Sequence, residues 1–130
     1  MKRFTKNVLV IGAAVLATAI ILGAFGAHAL RDKLSESSLE VFKTGVLYQF
    51  IHGFAILFMA VISMHLPEDK LRSPVIFFVI GILCFSGSLY FLSTQTITGL
   101  SLKFLGPITP IGGLLFILGW LVFIVKIVKK

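Results

Sequence analysis

Tyr48, Gln49 and His52 are the residues of this chain whose types and spacing invite chemistry, because they lie inside an otherwise apolar run. Tyr48 and His52 are four residues apart, and Gln49 lies three before His52, so on a helix they occupy neighbouring positions on one side. If a membrane span begins near Thr44, His52 lies about 12 Å deep at about 1.5 Å per residue, close to mid-membrane. An imidazole at that depth needs a hydrogen-bond partner. Ser86, Ser88 and Thr109 are the expected partners, followed by His28, which stands nearer the interface. Such a polar cluster either ties neighbouring helices together or forms a small pocket that binds a ligand or relays a proton.

What the chain lacks narrows the chemistry. All five acidic residues lie outside the apolar runs, so the intramembrane carboxylates usual in ion-coupled carriers are missing. No HExxH, GxSxG, Walker or paired-cysteine metal motif is present. Cys84, the single cysteine, has neither a second thiol nor an evident base beside it. His28, His52 and Cys84 could in principle assemble a soft-metal site, and nothing in their spacing requires a metal. No catalytic residue, metal or cofactor is therefore assigned.

The elements that must position these residues are membrane helices. With 58% hydrophobic and 13% charged residues over 130 positions, the chain has too little polar surface to cover a soluble globule. Four runs reach bilayer length, at about 8–30, 44–66, 74–92 and 107–125, and predict an all-α, polytopic protein with four transmembrane helices in one compact bundle. The net charge of +7 sits at the ends of these runs, where it meets lipid headgroups rather than nucleic acid.

The first run follows a basic start and ends in Ala27-His28-Ala29, which imitates a secretory signal with its cleavage site. Its length, beyond the roughly 7–15 residues of a signal core, predicts a retained helix. Gly12, Ala19, Gly23 and Gly26 form a stripe along it that lets a second helix approach closely. Gly81, Gly112 and Gly113 offer the same in the third and fourth runs. The charged segment 31–43 is expected to be a short helical lead-in to the second span, with Ser37 and Glu40 spaced as a capping box. Residues 67–73 are expected to form a turn, with Pro74 in the first turn of the third helix. Residues 93–105 read as a polar loop.

Four spans put both termini on one side, together with Lys2, Arg3, Lys6, Lys70, Arg72, Lys126, Lys129 and Lys130. Arg31, Lys33, Lys43 and Lys103 fall on the other. The bias predicts cytoplasmic termini and puts the polar positions in the outer half or centre of the membrane.

Several blocks carry a resemblance. Ala24-Phe25-Gly26-Ala27-His28-Ala29-Leu30, Tyr48-Gln49-Phe50-Ile51-His52, Phe85-Ser86-Gly87-Ser88-Leu89-Tyr90, Thr109-Pro110-Ile111-Gly112-Gly113 and Gly119-Trp120 occur in the order in which the YgdD-like family carries them. That family consists of small bacterial inner-membrane proteins of unknown function. The resemblance implies four transmembrane helices and the bacterial cytoplasmic membrane, and no reaction. A non-enzymatic membrane component, packing with a second copy, another membrane protein or lipid, is the expected function. An outward-facing unit that binds or conducts a small molecule, ion or metal is the alternative. A lipid-modifying enzyme using His52 as base and Tyr48 as its partner is the third reading, with no nucleophile or metal evident for it.

Overall fold

The computed structural model describes residues 1–129. Among them, four long helices carry runs apolar enough to cross a membrane. These are α1 (Arg3–His28), α2 (Glu36–Ile62), α3 (Glu68–Ser93) and α5 (Ile108–Val128). A single turn of helix, α4 (Gln95–Thr98), and a 3-10 turn at Lys103–Leu105 bridge α3 and α5. Gly99 ends α4 with φ 68°, a left-handed conformation that glycine adopts without a steric cost, and its N–H closes on the Gln95 carbonyl.

The charged segment and the second span form one continuous helix. Its cap is Ser35, whose hydroxyl accepts from the Ser38 N–H at 3.2 Å, so the expected capping box at Ser37 and Glu40 lies inside the helix. At 27 residues α2 is about 40 Å long, more than a hydrocarbon core of about 30 Å, so its charged first turns extend beyond the apolar layer.

The expected turn at 67–73 is also helical. Pro67 stands at the N-cap position, Glu68 and Asp69 follow in the first turn, and Pro74 is an interior residue. Acidic side chains at a helix N-terminus complement its dipole, and that signal outweighs the break suggested by Pro74.

The helices pack as α1 on α2, α2 on α3, and α3 on α5. Ile56, Met59 and Ala60 of α2 meet Leu71, Val75, Phe78 and Ile82 of α3, with Val8 and Phe116 closing the cluster from α1 and α5. A smaller cluster of Leu30, Leu34 and Phe42 lies toward the opposite end. Ile20, Ile21, Phe54, Leu83 and Ile117 remain exposed, as lipid-facing residues do.

Both termini gather at one end of the molecule. Thr5 and Ser63 share a hydrogen bond of 2.7 Å between α1 and the end of α2. Lys126 donates to the Asp69 carbonyl and to Ser73, Lys70 donates to the Lys129 carbonyl, and the Arg72 guanidinium lies over the Phe4 ring.

Candidate functional site

The structure distributes the polar side chains of the spans over separate contacts instead of gathering them around His52. Gln49 is buried and turns toward α1 and α3. Its amide nitrogen donates to the Val15 carbonyl at 3.0 Å and to the Thr18 hydroxyl at 2.9 Å, while its oxygen accepts from the Tyr90 hydroxyl at 2.6 Å. One side chain thus ties three helices. Thr18 and Tyr90 were not among the candidates; their signal was a hydroxyl inside an apolar run, which only a register between helices turns into a contact.

The serines are consumed in pairwise contacts. Ser86 donates to the Gly45 carbonyl of α2 at 2.7 Å, and Ser88 bonds to Thr109 of α5 at 2.5 Å and to its own helix at Phe85. None of them reaches His52. A hydroxyl short of partners in an apolar layer takes the nearest carbonyl or hydroxyl, and each has one closer than the imidazole. His28 ends α1 on the exposed surface, away from these contacts. Among the described residues, no three of His, Cys, Asp and Glu come together as a metal site.

His52 faces α5. It is 3% exposed, its Nδ1 lies 2.9 Å from the Tyr48 carbonyl, and its ring stacks on Phe116 with centroids 3.4 Å apart and planes 6° apart. Phe78 lies at 5.5 Å and Tyr48 at 6.2 Å from the same ring. Tyr48 in turn packs against Phe85 at 4.6 Å. Helices α2 and α5 therefore meet through aromatic side chains, and a cleft of about 620 Å³ opens between them. Tyr48, Phe85, Phe116 and Trp120 supply aromatic surface, Ile51, Leu114 and Ile117 supply aliphatic surface, and no charged residue lines it. Pro110 and Gly113 complete the α5 side, and His52 brings the imidazole. Volume and lining suit an apolar or amphiphilic molecule. No carboxylate, thiol or second imidazole lines the cleft, and the Tyr48 phenol is the one other titratable side chain in its lining.

The small residues hold the walls in place. Gly12 and Gly26 of α1 face Leu57 and Phe42 of α2, Ala19 is fully buried, and Gly23 faces Val46 more loosely. Gly81 makes room for the Phe116 ring, and Gly112 lies against the Phe85 backbone. Gly113 has only the Phe85 ring nearby, at ordinary contact distance.

Four apolar helices around an internal hydrogen-bond framework define a multi-pass membrane protein. Residues 22–113 match the family described as "Protein of unknown function (DUF423)". The chain belongs to that family. It is 40% identical to a UPF0382 membrane protein of Staphylococcus epidermidis over 95% of this chain and 97% of that relative. It is 38% identical to the UPF0382 membrane protein YwdK of Bacillus subtilis over 95% and 98% of the two chains. A UPF0382 membrane protein of Staphylococcus aureus is 41% identical over 95% and 97%. No solved structure matches.

Proposed function

We propose that this protein is a non-catalytic component of the bacterial cytoplasmic membrane that takes an amphiphilic molecule from the bilayer into the α2–α5 cleft. The observation that carries this reading is the cleft itself: apolar, aromatic, uncharged, and flanked by the exposed Ile51, Leu114 and Ile117. We read the YgdD-like resemblance and the UPF0382 relatives as one group of membrane proteins, which supports the membrane setting of this reading. Native mass spectrometry of the protein extracted with its lipids should find a retained amphiphile. Gly113→Phe, which places a ring in the open space beside Phe85, should expel it. Retention unchanged by that substitution, or no amphiphile on the wild-type chain, overturns the reading.

We also propose that both termini are cytoplasmic. Lys2, Arg3, Lys6, Lys70, Arg72, Lys126 and Lys129 occupy the end of the molecule that holds the termini, which favours that end on the cytoplasmic side. A fluorescent protein fused at the C terminus should be active only if that end is cytoplasmic. Activity of an export-dependent phosphatase in the same position refutes the orientation.

A further inference from the structure

We infer that the α2–α5 cleft selects a neutral lipid alcohol, whose hydroxyl donates a hydrogen bond to Nε2 of His52. The inference rests on the reading of the cleft as an amphiphile site and adds the chemistry of the molecule it takes.

The polarity of the histidine carries the argument. Nδ1 lies 2.9 Å from the Tyr48 carbonyl, which can only accept, so Nδ1 bears the proton. A neutral imidazole that donates from Nδ1 presents a lone pair at Nε2. Among the described residues Nε2 has no hydrogen-bond partner, and no fully buried side-chain nitrogen or oxygen is left unpaired. Nε2 therefore meets open space, and the space beside His52 is the cleft. A side chain 97% buried thus offers one unused acceptor to whatever enters.

Position and lining define the donor. His52 stands sixteen positions after Glu36, about 24 Å along a helix about 40 Å long, so the acceptor lies deep between the two membrane faces. A phosphodiester headgroup is held at the surface, and a charged group at this depth has no countercharge, since no charged side chain lines the cleft. An uncharged hydroxyl on an apolar chain, as a diacylglycerol or an isoprenoid alcohol carries it, meets these conditions. The aromatic walls accept the hydrocarbon of both.

Delipidated protein in detergent micelles can be titrated with dioleoylglycerol and with geranylgeraniol, each beside its O-methyl ether. Trp120, the only tryptophan, borders the cleft and reports occupancy by fluorescence. Nitrogen NMR of histidine-labelled protein reports the His52 tautomer. At least one alcohol should bind about tenfold more tightly than its ether, the value of one hydrogen bond away from water. The same alcohol should move the Nε2 signal, and which of the two does so identifies the source of the hydroxyl. His52→Phe, which keeps a ring on Phe116, should bring alcohol and ether to equal affinity. Equal binding of alcohol and ether to the wild type, with Nε2 unmoved, overturns the hydroxyl selection and leaves the cleft reading standing. A free protein with its proton on Nε2 does the same. No binding of any probe overturns both.

Discussion

Gly112→Ala should destabilise the protein by about 1–3 kcal/mol, measured by reversible unfolding in mixed micelles. A methyl group at Gly112 would lie 2.8 Å from the Cα of Phe85 and closer still to its backbone nitrogen. Backbone cannot rotate aside as a side chain can, so α3 and α5 must separate along their whole contact. In lipid, helix association depends on such close packing, because hydrocarbon competes with any apolar surface. Gly23→Ala provides the control. Its new methyl would meet Val46 at 3.4 Å, an ordinary contact, while alanine favours the helix over glycine by about 0.5–1 kcal/mol. Gly23→Ala should therefore be neutral or stabilising. Equal losses at the two positions would contradict the packing described.

The second large effect is expected at Gln49. Gln49→Leu removes three hydrogen bonds at once and leaves the Tyr90 hydroxyl without its acceptor. The expected loss is about 1–3 kcal/mol, the desolvation cost of a polar group stranded in an apolar layer. Tyr90→Phe alone should cost less, since among the described residues the Gln49 oxygen is the only partner of the Tyr90 hydroxyl. The informative quantity is the coupling: once Gln49 is leucine, Tyr90→Phe should cost almost nothing or become favourable. Additive losses would show that the two side chains do not act on each other.

How much of this was readable from the sequence differs by element. The four spans follow from uninterrupted apolar length, and that signal is local. The helix boundaries around Pro67 and Pro74 are not, because a proline inside a helix and a proline before one look alike until the acidic first turn at Glu68 and Asp69 is weighed. The polar residues were harder. Gln49 and His52 are three apart, about 60° around the helix, which made them neighbours on one face. That angle is also the one that separates two partners: Gln49 meets α1 and α3, whereas His52 meets α5. Facing is a property of one helix, but the partner depends on how four helices are arranged. Phe116 and Trp120 went unselected for the same reason, since aromatic residues in a span usually face lipid or core without distinction.

The order of packing, α1 on α2, α2 on α3 and α3 on α5, has a consequence for biosynthesis. Every extensive interface joins spans that are consecutive in the chain, so each helix that follows the first meets one of its partners already inserted. Contacts of short sequence separation form fastest, because little loop entropy is lost in closing them. Gln49 can pair with Thr18 as soon as α2 is in place, and Tyr90 completes the arrangement one helix later. Assembly can proceed as a one-way sequence of hairpins, with no early span held unpaired until the last is made.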